Sequence, residues 1–353
     1  MRKPFRILTL LLVFVLFAAA CGDDSETAGD GDPTDGVTPE EEMADSITVY
    51  SGRDEELIGP LLEAFTEETG IDVQAQYADS AELALLIQTE GDSSPADVFI
   101  SQSPGALGFL AGEEMLAELD PSITDLVGPE YAASDDTWVG LTGRVRVLVF
   151  NSELVDEADL PESVLDLTDP SYAGRVALAP TNGSFQDFVT AMRNELGDDA
   201  TLEWLEGMAA NESPNYSGNS PIVEAVGRGE VEMGLVNHYY NVRALEADPS
   251  LPSRNHFFAA DDIGSLVVIT GGAVLSSSDA VTGAEALLAF LLSEESQAQF
   301  VDEIQEYPIL PGVDAPEGLP PLAGYAADTI DYELLGEGLT GTIELIRESG
   351  IEQ

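Results

Sequence analysis

"SITVYSGRDEELIGPLLEAFTEETGIDVQAQY", residues 46–77, sets two periodicities back to back. Residues 46–50 are short, apolar and β-branched, which predicts a strand. Leu57, Ile58, Leu61, Leu62 and Phe65 then recur at helical spacing, and Gly70 is suited to closing that helix. Pro60 fits if it falls in the first turn, where its missing N–H costs nothing. Residues 71–77 predict a second strand. "SAELALLIQTEG" (80–91) predicts a helix opened by a Ser80 cap, and "ADVFISQ" (96–102) a third strand before "SPGALGFLAGEEML" (103–116). Strand–helix alternation of this kind implies an α/β fold with a largely parallel, doubly wound sheet, and ligands at the carboxyl ends of its strands.

A long extended stretch follows, "WVGLTGRVRVLVFNSELV" at 138–155. Alternation puts Val145, Val147 and Val149 on one face, and Arg144, Arg146 and Leu148 on the other. Such a segment between two α/β regions predicts a crossing strand. The second region starts near Asn151 and supplies further strand and helix patterns up to "NSPIVEAVGRGEVEMGLVNHYYNVRAL" (219–245). "GSLVVITGGAVL" (264–275) predicts a return strand, "GAEALLAFLLSEESQAQFVDE" (283–303) a helix, and "TIELIRESG" (342–350) a closing helix. The expected organisation is a signal peptide at 1–20 and a lipidated cysteine with a disordered acidic tether at 21–45. Residues 46–143 with 268–320 form lobe one, and residues 144–267 with 321–353 form lobe two.

The amino terminus, "MRKPFRILTLLLVFVLFAAAC", has the order of an export signal: basic Arg2, Lys3 and Arg6, an apolar run from Ile7 to Ala20, then small residues. The run is shorter than the roughly 20 residues a membrane span needs. Cys21 is the only cysteine, and its position resembles a lipoprotein lipobox, with Ala18 where leucine is usual. The other reading of the segment is a plain secretory peptide; both put the mature chain outside the cytoplasm. Residues 22–46 are glycine, proline and acid with almost nothing to bury, which predicts a disordered tether.

The chain carries 12 basic and 67 acidic residues, a net charge of −55, and lysine is absent after Lys3. Removing the three basic residues of the leader leaves 9 against 67, or −58. That surface repels nucleic acid and anionic membranes. A solvated acidic coat suited to high salt accounts for it, because salt screens the repulsion between carboxylates.

Four stretches fall where a cleft between two lobes would form: "YSGRD" (50–54), "SQS" (101–103), "PTNGSF" (180–185) and "VNHYYN" (236–241). Thr181, Asn182, Gly183 and Ser184 precede a helix, where free N–H groups favour an anion or simply cap the turn. Arg53, Arg144 and Arg146 are candidate counter-charges. Two arginines on one face of an apolar strand need buried or cleft-facing partners. Tyr239 and Tyr240 stand side by side where a strand candidate runs out, so both phenols reach one point only if the strand ends or bends there.

These stretches, together with "EGDSSPADVFISQS" (90–103), "GGAVL" (271–275) and "EYPILPGV" (306–313), resemble the periplasmic-type ferric ion-binding proteins, solute-binding components of iron ABC importers. The likeness spans about residues 47–350. It implies a type II periplasmic-binding-protein fold, in which two lobes close over iron held by paired tyrosines, with phosphate or carbonate completing the shell. Carried over by residue, Tyr239 and Tyr240 match the tyrosine pair. Asn219, Asn237 and the "TNGSF" loop match the anion's neighbourhood, and Arg144 and Arg146 match the "GRxR" stretch. Asp54 stands where the best-known members have histidine, and Gln102 where they have glutamate. Asp54 is therefore a candidate hard ligand and Gln102 only a possible cleft contact. His238 is expected to point away from the pair.

Ferric ion prefers anionic oxygen, and a phenol with a pKa near 10 ionises only when a cation stabilises it. Zinc or copper would recruit histidine or cysteine, yet the chain has two histidines and one cysteine. The implied function is a monomeric, lipid-anchored ferric receptor on the outer face of the bacterial cytoplasmic membrane. It would deliver iron to a permease with its cytoplasmic ATPase. A receptor for a small anion or an anion–metal complex is the alternative. An enzyme is disfavoured, since neither a serine–histidine–acid set nor an HExxH motif occurs.

Overall fold

The computed structural model describes residues 44–322 and 332–352. The leader, Cys21 and nearly all of the acidic tether lie outside them. The first region runs β1 (Ser46–Ser51), α1 (Glu55–Thr69), β2 (Asp72–Tyr77), α2 (Ser80–Glu90), β3 (Val98–Ser101), α3 (Pro104–Gly112) and α4 (Pro121–Thr124). A long strand β4 (Val139–Asn151) leads to β5 (Val176–Ala177), α5 (Gly183–Leu196), α6 (Asp198–Ala210), α7 (Asn219–Gly227), β6 (Met233–Asn237), α8 (His238–Ala247) and β7 (Ser253–His256). The chain returns through β8 (Val267–Val274), α9 (Val281–Leu291), α10 (Glu294–Gln299) and β9 (Tyr307–Pro308), and ends in α11 (Tyr332–Ser349).

The local expectations around β1 hold, with two exceptions. Leu57, Ile58, Leu61, Leu62 and Phe65 are the buried face of α1, and Gly70 closes it at φ 79°, donating to Thr66 O. Pro60, however, is the sixth residue of α1 and lies beyond the first turn; it sits on the exposed side, away from the packed face. Ser80 does not cap α2, because Asp79 holds the N-cap position and the Ser80 hydroxyl accepts from Gln102 N at 3.0 Å instead. Gly52 explains that preference: a Cβ there would come within 1.9 Å of Ser80 Oγ. The ends of β1 and β3 are thereby drawn together over the start of α2. Residues 283–303 are also not one helix, since Ser293 accepts from Ser296 N and caps α10 as a separate element.

Strand order is β2-β1-β3-β8-β4-β6-β5, with β7 and β9 also paired to β4. Parallel pairing is confined to β1 with β2 and β3, and to β5 with β6. β4 and β8 cross between these groups and run antiparallel to their partners, so the sheet is mixed. This is a two-lobed α/β fold joined by crossing strands. All thirteen residues of β4 are buried. Its first half pairs with β8 as far as Val145, and its second half pairs with β6 from Arg146. Arg144 and Arg146, two apart and therefore on one face, straddle the point where the strand leaves one lobe for the other.

Candidate functional site

β6 ends at Asn237 and α8 begins at His238, so the strand stops where the two phenols begin. Consecutive residues in a helix turn by about 100°, against about 180° in a strand, so Tyr239 and Tyr240 project to neighbouring directions. Their rings stack with centroids 4.2 Å apart at 27°. Tyr239 is only 1 % exposed and Tyr240 is half-buried. Burial raises both phenol pKa values; at Tyr240 a hydrogen bond from Tyr239 works the other way, while the Asp54 carboxylate adds to the rise. Arg53 and Arg144 favour phenolate at both positions. The first turn of α8 adds the positive end of a helix. An ion able to bind phenolate therefore meets oxygens held in place, with their charge developing beside guanidiniums.

Behind the tyrosines lies a buried ionic network. Arg53 Nη1 donates to Glu306 Oε1 at 3.0 Å and to Thr270 Oγ1 at 2.8 Å. Arg144 Nη1 donates to the same threonine hydroxyl at 2.5 Å, and Thr142 Oγ1 donates to Glu306 Oε2 at 2.7 Å. Burial works to raise the Glu306 pKa, but Arg53 and Arg144 hold it below the ordinary glutamate value. Arg53 Nε and Nη2 and Arg144 Nε and Nη2 are buried without a hydrogen-bond partner among the described residues.

A second cluster gathers around Asn237. Its backbone N–H donates to Asn219 Oδ1 at 3.1 Å, its Nδ2 to Ser184 Oγ at 3.2 Å, and its Oδ1 accepts from Arg146 Nη1 at 3.2 Å. Asn219 Nδ2 in turn reaches Asn182 Oδ1 at 3.3 Å. The N-termini of α5, α7 and α8 thus meet beside one arginine, an arrangement that favours negative charge. Burial, together with neighbouring Arg144, lowers the Arg146 pKa to about 9, and its Nη2 has no hydrogen-bond partner among the described residues.

The structure brings most sequence-derived candidates together. Asp54 is exposed, and with Tyr240, Ser220, Glu224 and Arg243 it lines a cleft of about 300 Å³. Asn182 and Gly183 are half-buried at the start of α5, and Ser184 is buried. Thr181 is exposed and joins the cluster only through its place in the loop; its carbonyl accepts from Gln186 Nε2 at 3.5 Å. Gln102 is half-buried at the end of β3, held by its backbone to Ser80. His238 points away as expected: Nδ1 accepts from Val145 N at 3.2 Å, Nε2 donates to Gln305 O at 2.7 Å, and burial lowers its pKa to about 4. Among the described residues no group of three His, Cys, Asp or Glu side chains is placed to hold a metal.

Sequence reasoning missed Glu306, Thr270 and Asp187. Glu306 opens "EYPILPGV" with no local signal; among the described residues it and Asp187 are the buried acids. Asp187 did carry a signal: it lies three residues after Ser184 on the buried face of α5, where an apolar residue is expected.

Residues 93–332 match the family described as bacterial extracellular solute-binding protein. The chain is 36 % identical over 311 residues to the major ferric iron-binding protein of Neisseria meningitidis serogroup B, covering 87 % of this chain and 93 % of that one. Among solved structures, iron-bound HitA from Pseudomonas aeruginosa superposes with a TM-score of 0.82 at 37 % identity, over 86 % of this chain and 99 % of that one. A Trichodesmium protein in complex with iron and citrate follows at 0.74 and 25 % identity, over 86 % and 99 %. A family match over more than half of the chain, on a two-lobed fold joined by crossing strands, has one reading: the chain belongs to the bacterial extracellular solute-binding protein family, whose members bind a solute and are not enzymes.

Proposed function

We propose that this protein is an extracytoplasmic receptor that captures ferric ion through Tyr239 and Tyr240 and delivers it to an ABC importer. The observation that carries the reading is the stacked pair of adjacent phenols on the first turn of α8, facing Asp54 and backed by buried guanidiniums. Two phenolates and the Asp54 carboxylate match the triple charge of the ion. The relatives named for ferric iron and the iron-bound structure support it. Phosphate or carbonate is the proposed second ligand, held by Arg53, Arg144, Arg146, Asn219, Asn237 and residues 181–184. Residues 46–143 with 268–320, and 144–267 with 321–353, are the proposed lobes, which close on the ion as a monomer.

Ferric ion added to the apoprotein is expected to give a visible phenolate-to-metal band, with affinity that drops in anion-depleted buffer and is restored by phosphate or carbonate. A titration without a band overturns the iron reading and favours a receptor for the anion alone. That second reading has its own support in five buried guanidinium nitrogens without a hydrogen-bond partner among the described residues.

The leader carries a separate proposal. Cleavage before Cys21 leaves a lipid-modified cysteine that tethers the receptor beside its permease. Cys21→Ser is expected to release the protein or stop its processing. Mass analysis that finds an unlipidated mature terminus away from Cys21 overturns this.

A further inference from the structure

We infer that Asp187 sets the identity of the anion: it selects an oxyanion that keeps one proton near neutral pH, hydrogenphosphate or hydrogencarbonate, over one that keeps none, such as sulfate. This rests on the anion site proposed above and deepens it. Asp187 is 1 % exposed. Its Oδ1 accepts from Ser103 Oγ at 2.6 Å, which ties α5 to the start of α3 and fixes the carboxyl group. Its Oδ2 is buried with no hydrogen-bond partner among the described residues. The same is true of Arg144 Nε and Nη2 and of Arg146 Nη2, whose charges act on this carboxyl. Ser184, of the "TNGSF" loop, lies one helical turn before it on the same face.

The chemistry of this set is asymmetric. Arginine nitrogens only donate, so they accept any oxyanion; a carboxylate only accepts. A bare anionic oxygen facing Asp187 Oδ2 in a buried site puts two like charges together with no proton between them. An O–H group on the ligand turns that repulsion into a short, charge-assisted hydrogen bond. A site built to hydrogen-bond a ligand group rejects analogues that lack it far more strongly than shape alone can.

Burial raises the Asp187 pKa to about 7, against the opposing effects of Ser103, Arg144 and Arg146. The groups acting on it are therefore the Ser103 hydroxyl at the start of α3 and the two β4 arginines. At pH 8 Asp187 is ionised and the ligand must bring the proton. At pH 6 the acid holds one itself and can donate it to sulfate.

The test is calorimetric titration of the iron-free full chain with phosphate, hydrogencarbonate or sulfate. Wild type at pH 8 is expected to prefer the protonated anions over sulfate by more than about 100-fold, and separate phosphate and hydrogencarbonate arms show which of the two is taken. Sulfate affinity should rise as the pH is lowered to 6. Asp187→Asn keeps an acceptor for Ser103 but presents an N–H in place of Oδ2. It should lose at least tenfold of the phosphate-over-sulfate ratio, and its sulfate affinity should no longer depend on pH in this range. Circular dichroism verifies that the variant is folded. Equal binding of phosphate and sulfate by wild type, or an unchanged ratio in the variant, overturns the inference. Because no iron is present, failure of the ferric reading would show separately, as a missing visible band.

Discussion

The double substitution Tyr239→Phe/Tyr240→Phe is expected to abolish the visible ferric band and reduce ferric binding to background while the protein stays folded. Phenylalanine keeps the 4.2 Å ring stack and removes only the two oxygens. Each lost hydroxyl costs the fold about 1 kcal/mol, the usual net worth of one hydrogen bond. Both phenols are held protonated by burial, so the ion must supply the free energy of their ionisation, and a variant without phenols offers it nothing to ionise. Each single substitution should weaken ferric affinity by roughly 100-fold, which is about 2.7 kcal/mol. Asp54→Asn should do less, because its carboxylate is exposed and water can take its place. Gln102→Ala should do least, since the observed tie of Gln102 is through its backbone. A double variant that binds ferric ion with unchanged colour and affinity rules out the phenolate site.

Glu306→Ala should lower unfolding free energy by about 3–5 kcal/mol, the cost of leaving one side of a buried ion pair uncompensated. Glu306 is 0 % exposed and, among the described residues, is the carboxylate bonded to Arg53, which is itself 1 % exposed. Without it, Arg53 and Arg144 share one neutral threonine hydroxyl. Chemical denaturation measures the change, and a loss below about 1 kcal/mol would show that the charges are compensated otherwise. The same carboxylate contributes to acid unfolding. Its folded pKa lies below the ordinary value of 4.5, so the stability it adds is present above that pH and is lost as pH falls through the folded pKa. Glu306→Gln should flatten that part of the stability–pH curve.

Local patterning was enough to identify the alternating α/β elements, the crossing strand and the tyrosine pair. Period-two and period-3.6 burial write themselves into neighbouring residues, as the buried face of α1 and the αL glycine at 70 show. Buried arginines on β4 were legible for the same reason, because a charge in an apolar alternation is conspicuous. The tertiary structure alone decided which groups those arginines meet. Ser80 reads as a cap, yet its hydroxyl is taken by a backbone N–H 22 residues away. Glu306 looks like any other acid until Arg53, 253 residues distant, is packed against it. Asp187 and Ser103, 84 apart, find each other only when α3 and α5 close together. Nearest-neighbour geometry is carried by the backbone and survives in the sequence. The choice of partner for a buried charge is made by desolvation across folded surfaces, which no local stretch of residues contains.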